Sequence, residues 1–183
     1  SINVGNNVIP ASTGARNLGV FFDHHLDMRQ HILNTCRICY FQVRQLRVIC
    51  RHLSKDVLKT LLHAFVSTRL AYCNALLYGL PQCDIRKLQS VQNAAARLVG
   101  GIRKFDHITT LTRDTLHWLP IVQRINFKIA VLTYKALHQQ APCYLTFMCH
   151  LASDSSGLTR NRSASNNELI PASWNSVFYG KRS

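Results

Sequence analysis

Residues 27–51 read DMRQHILNTCRICYFQVRQLRVICR. Ile32, Cys36, Cys39, Val43, Leu46 and Cys50 recur three and four apart, so at about 100° per residue they gather on one side of a helix. A stripe of that kind has to be covered by a core. Arg37, Arg44 and Arg51, spaced seven apart, form a separate ridge roughly 100° away, with Arg29 and Arg47 flanking it. Such a helix can dock on its own domain through the apolar stripe while laying guanidiniums along a phosphate backbone.

The neighbouring sequence extends this helix into a bundle. Ser54 is a good N-cap and Asp56 suits a first turn, which predicts a second helix from Lys55 to about Tyr78, stopped by Gly79 and Pro81. Asp84 can cap a third helix over residues 85–99, closed by Gly100 and Gly101, and its Ala94-Ala95-Ala96 run admits a close neighbour. Three helices on short connections make a compact antiparallel bundle. Upstream, residues 2–4 and 7–9 around Gly5-Asn6 read as a tight hairpin, and residues 17–22 as a third strand.

Downstream, a short helix around residues 110–117 precedes Pro120, which suits the first turn of a longer helix whose Ile121, Ile125, Ile129, Leu132 and Ala136 share a face. Pro142 opens another short one. Residues 153–167 are rich in Ser and Asn and read as a linker or flexible loop, because no packed core can be built from them. The expected fold is therefore mainly α. A β-hairpin and strand remnant (residues 1–25) leads into a thumb-like helical bundle (26–105), a further helical region (106–152), and a linker with an irregular tail (153–183).

The chain is strongly basic, with 22 Lys and Arg against 8 Asp and Glu and a net charge of +14. A field of that sign draws polyanions, most commonly nucleic acid. The excess is concentrated in residues 26–105, where 13 Lys and Arg face 3 acids, so a polyanion site is expected there. No uninterrupted apolar run reaches the roughly 18 residues of a membrane span, and the start lacks the layout of a signal peptide, which favours an intracellular protein of cytoplasm or nucleus. Seven cysteines at irregular spacing fit reduced thiols better than a disulfide frame. Cys36 and Cys39 form a Cys-x-x-Cys pair, but both lie on the apolar stripe and no second pair supplies further ligands for zinc. Cys143, Cys149 and His150 are too few for a metal site and read as core. None of the nine histidines has a nucleophile or carboxylate at an interpretable spacing, and Trp118 reads as a buried anchor for the helix that follows.

Several words stand in a telling order: Tyr72-Cys73-Asn74, Leu76-Leu77-Tyr78-Gly79-Leu80-Pro81, Leu88-Gln89, Gln92-Asn93-Ala94-Ala95-Ala96-Arg97 and Leu116-His117-Trp118-Leu119-Pro120. Together with Asn17-Leu18-Gly19-Val20 upstream and Ala141-Pro142-Cys143-Tyr144-Leu145 downstream, they resemble the region just after the polymerase core in LINE-type, jockey-like non-LTR retrotransposon reverse transcriptases. The resemblance covers nearly the whole chain. It implies the end of the palm, the thumb and a following helical region, with Leu18, Gly19 and Val20 in the place of a primer grip. Ala71, Ala75 and Lys181 depart from the family, where Asp, Ser and Asp are common.

In such a polymerase a pair of aspartates in an aromatic-Ala-Asp-Asp box holds Mg²⁺ for nucleotidyl transfer. No Asp-Asp pair occurs in this sequence. The resemblance therefore implies a fragment with no catalytic residue, metal ligand or cofactor of its own, which partners the palm and fingers of a parent protein and holds the template–primer duplex. Arg37, Arg44, Arg47, Arg51, Lys55 and Lys59 are the candidate nucleic-acid-binding residues. Two alternatives stay open: a captured stand-alone helical module that binds nucleic acid or protein, or a relic of an element without function. An in-frame aromatic-Ala-Asp-Asp box upstream separates the first reading from these.

Overall fold

The computed structural model describes residues 12–103 and 105–149, the backbone of residues 2–4 and 7–9, and Leu169. The chain is mainly helical, as the periodicity requires. It divides into two compact units, residues 1–125 and 126–183. The boundaries expected after residues 25 and 105 fall inside the first unit, where strand and helices share one core. The expected linker, residues 153–167, lies outside the described residues, as does the tail apart from Leu169.

Strands β1 (Ile2–Val4) and β2 (Asn7–Ile9) pair antiparallel, with Val4 opposite Asn7, as expected for the first hairpin. A second hairpin follows, formed by β3 (Gly14–Asn17) and β4 (Val20–Asp23), with Asn17 opposite Val20. This corrects the expectation of one strand over residues 17–22. Leu18 and Gly19 both take positive φ, 47° and 86°, which is the backbone of a two-residue hairpin turn whose twist matches its strands. The chain reverses where the apolar letters alone suggest continuation.

Helix α1 (Arg29–Ile49) buries Ile32, Cys36, Cys39, Val43 and Leu46, the stripe read from the sequence. A 3-10 turn, Cys50–His52, continues it and leaves Cys50 half-buried. Ser54 caps α2 (Lys55–Leu62) by accepting the Val57 N–H. A π-helical segment, His63–Ser67, joins α2 to α3 (Thr68–Ala71), so the helical run ends at residue 71 rather than near Tyr78. The break has a visible cause. Tyr72 is extended and Cys73 is left-handed at φ 50°, and the 3-10 turn Asn74–Leu77 that follows buries Asn74 and Leu77.

Helix α4 (Gln82–Gly100) starts earlier than expected, and its N-cap is Pro81 rather than Asp84. The Pro81 carbonyl accepts the Asp84 and Ile85 N–H groups, which places Asp84 inside the first turn with its side chain only 2% exposed. Lys87 Nζ bonds the buried carboxylate at 2.7 Å and Arg29 Nε lies 3.6 Å from it. The helix ends as the glycines predict: Gly101 is left-handed and donates its N–H to the Arg97 carbonyl. Gly100 has a packing reason too, since a Cβ there would stand 2.5 Å from Leu111 Cδ2.

The first unit's core is made where α1, the helical run over residues 55–71, and α4 meet, with Leu62, Leu88, Val91, Ala95 and Ala96 wholly or almost wholly buried. The alanines let α4 approach α1 closely. A π-helical turn, Leu111–Thr115, packs on α4 and leads to the buried Leu116 and Trp118. In α5 (Ile121–Leu137) Ile121, Ile125 and Ala136 are buried and Ile129 and Leu132 half-buried, the expected face. The start of α5 is held by amides of α4. Gln89 Oε1 accepts the Ile121 N–H at 2.9 Å, and Gln92 Nε2 donates to the Leu119 carbonyl at 2.9 Å. Pro142 precedes α6 (Cys143–Thr146). No described helix is long and apolar enough to cross a membrane.

Candidate nucleic-acid interface

Helix α1 presents Arg37 to one cleft and Arg44 and Arg47 to another. The first, about 610 Å³, lies among α1, the β3–β4 hairpin and α3. It is lined by Arg16 from β3, Arg37 from α1 and Arg69 from α3, with the Leu18-Gly19 turn, His31 and Tyr72 at its walls. Strand alternation places Arg16 there, and the 3.6-residue period places Arg37. Arg69 arrives only because the helical run over residues 55–71 folds back on α1. Among the described residues no Asp or Glu lines this cleft.

The second cleft, about 860 Å³, lies between α1 and the C-terminal half of α4. Arg44 and Arg47 enter it from α1 and Arg97 from α4, Tyr40, Ser90, Asn93 and Phe105 stand at the walls, and again no carboxylate lines it among the described residues. The sequence ridge is thus divided between two sites. Arg51, in the 3-10 turn, and Lys55, at the start of α2, are exposed and line neither. Lys59 stands apart beside Thr60, His63 and Trp118 in a shallow hollow of about 240 Å³.

Of the primer-grip-like residues, Leu18 and Gly19 face the first cleft, while Val20 is 2% exposed and belongs to the core. Sequence reasoning missed Arg16, Arg69 and Arg97. The charge count over residues 26–105 included two of them, but a wheel drawn on one helix cannot bring in cations from other elements. Arg16 carried a weak signal, two residues before Leu18 on an alternating strand.

Among the described residues no carboxylate neutralises the charges in these clefts. Among the described residues the salt bridges engage only Arg29 with Asp27 and Asp84, and Lys87 with Asp84. The guanidiniums of Arg16, Arg37, Arg44, Arg47, Arg69 and Arg97 make no hydrogen bond or ion pair with another described residue. Arg97 Nε is buried without a partner. Grouped unpaired cations repel one another over roughly 10 Å at moderate salt, and a bound polyanion relieves that repulsion.

His31, Cys36 and Cys39 on α1 are shaped by burial. Desolvation lowers the His31 imidazole below its ordinary range, and its Nδ1 accepts the Phe21 N–H at 3.4 Å. Cys36 and Cys39 are buried thiols on the stripe; burial, with Cys36 adding and Arg69 opposing, pushes Cys39 up to about 11. A thiol held protonated in this way is a packing group. The other cysteine set differs from expectation: Cys143 is exposed and Cys149 half-buried, and His150 lies outside the described residues. No group of three or more metal-ligating side chains comes together among the described residues. No family model matches the chain, and no curated protein or solved structure matches it.

Proposed function

We propose that this chain is the C-terminal part of a LINE-type, jockey-like non-LTR retrotransposon reverse transcriptase, and that it grips the template–primer duplex without carrying the chemistry. The observation that carries the proposal is the first cleft. Three arginines from three elements converge there beside the Leu18-Gly19 turn, and among the described residues no carboxylate pairs with them or lines the cleft. That arrangement suits the phosphates of a duplex, and an RNA–DNA hybrid, close to A-form, is recognised by its shape and backbone rather than its base edges. Arg37 belongs both to this cleft and to the outward ridge of α1 with Arg51, so one helix can follow a backbone past the cleft.

Nucleotidyl transfer in this reading depends on Mg²⁺ held by aspartates of the palm, which this sequence does not contain. The chain's own part is to hold and orient the duplex. The test is a fluorescence anisotropy titration with RNA–DNA hybrids of two unrelated sequences, run beside a primer-extension assay with Mg²⁺. The expected result is the same affinity for both hybrids and no extension. Failure to bind either hybrid, or primer extension above a boiled control, rejects the proposal.

A further inference from the structure

We infer that the second cleft is a separate site for single-stranded nucleic acid. Its separateness is the first argument. The cleft lies between α1 and the C-terminal half of α4 and shares no lining residue with the first cleft. Its chemistry is the second. Arg44, Arg47 and Arg97 present three unneutralised guanidiniums, and Arg97 Nε is buried with no hydrogen-bond partner. A group in that condition gains most from a charged acceptor such as a phosphate oxygen.

The walls supply what a single strand needs besides charge. Tyr40 and Phe105 line the cleft, Phe105 being 91% exposed, and offer rings on which unpaired bases stack whatever their identity. Ser90 and Asn93 add side chains able to reach sugar or base edges. An acidic peptide would satisfy the arginines and leave the aromatic rings without a counterpart, so the strand is the better occupant.

The inference rests on reading the chain as a nucleic-acid binder, and a duplex measured in parallel separates the two failures. The intact chain is titrated with a labelled dT octamer and with a blunt RNA–DNA hybrid, each for the wild type and Arg97→Gln. Losing one charge-assisted phosphate contact is expected to weaken octamer binding about tenfold while hybrid affinity stays within about twofold. Equal loss for both ligands, or loss for neither, overturns the inference, as does displacement of the octamer by poly-glutamate at matched charge. Wild-type binding of the hybrid but not the octamer overturns the inference and leaves the duplex proposal standing. If Arg97→Gln does not fold, photocrosslinking of 5-iodouracil octamer to the wild type decides: adducts at Tyr40 or Phe105 are expected, and adducts confined elsewhere overturn the assignment.

Discussion

The Tyr72 hydroxyl donates a hydrogen bond of 2.5 Å to the carbonyl of Leu18, joining the end of the helical run over residues 55–71 to the turn of the second hairpin, 54 positions earlier. Tyr72 also covers Gly19, where a Cβ would meet its ring at 3.7 Å. The wall of the first cleft is therefore held by a single phenol that leaves the helix just where the backbone turns extended. Tyr72→Phe should cost about 1 kcal/mol, the net value of one such bond. Gly19→Ala should cost a similar amount, about 1 kcal/mol, for a left-handed conformation that L side chains rarely take. Thermal melts read both, and two variants indistinguishable from wild type would show that the turn is not tied down.

The first cleft makes a quantitative prediction about salt. Each phosphate contact adds about −0.7 to −0.9 to the slope of log K against log salt, so Arg16→Ala, Arg37→Ala and Arg69→Ala combined should flatten the hybrid-binding slope by roughly 2 to 3 units. All three side chains are exposed, and the folded state should survive. An unchanged slope in a folded triple variant would make these arginines an ordinary solvated face.

Asp84 is buried while its partners remain in water, Arg29 being 61% and Lys87 45% exposed at the side chain. Asp84→Ala therefore strands no buried cation. It removes a charge-assisted bond at the start of α4, and an expected cost of about 2 kcal/mol follows. Lys87→Ala removes the shorter contact and should cost less than Asp84→Ala, since Arg29 still faces the carboxylate. Chemical denaturation of the two variants gives the order, and the reverse order would contradict this account.

Gln89 and Gln92 make opposite predictions for the same junction. Gln89→Leu leaves the buried Ile121 N–H without an acceptor and should cost about 2 kcal/mol. Gln92→Leu leaves the Leu119 carbonyl still bonded by Arg124 Nε at 2.8 Å, so its cost should stay below about 1 kcal/mol. Hydrogen exchange at the Ile121 amide should accelerate only in Gln89→Leu. Equal acceleration in both variants would remove the distinction.

His31 links stability to pH. Burial sets its folded pKa below the free value of 6.5, so the folded state binds fewer protons than the unfolded one. Its contribution is present in full above pH 6.5 and is lost as pH falls through the depressed folded value, where protonation also removes the acceptor of the Phe21 N–H. His31→Gln keeps an acceptor and abolishes the titration. The Tm of the wild type should drop relative to His31→Gln between pH 7 and pH 5, and a difference constant across that range would exclude the linkage.

Much of this architecture follows from local sequence alone. The three-and-four spacing of Ile32, Cys36, Cys39, Val43 and Leu46 determined which face of α1 is buried, because side-chain direction on a helix is set by its period. Ser54 and Gly101 determined an N-cap and a C-cap through groups within a few residues. The overall basic charge, and its concentration in residues 26–105, were likewise legible. Tertiary structure decided what depends on distant partners. It turned residues 17–22 from a strand into a hairpin, because Tyr72 and the β3–β4 pairing stabilise a left-handed Leu18 that local preference disfavours. It ended the second helix at Ala71 so that Asn74 and Leu77 could be buried. It divided one arginine ridge between two clefts and completed each with cations from other elements, Arg16 and Arg69 in one and Arg97 in the other. A helical wheel describes directions on one helix, and a binding cleft is a convergence of several, which the chain acquires only when its core closes.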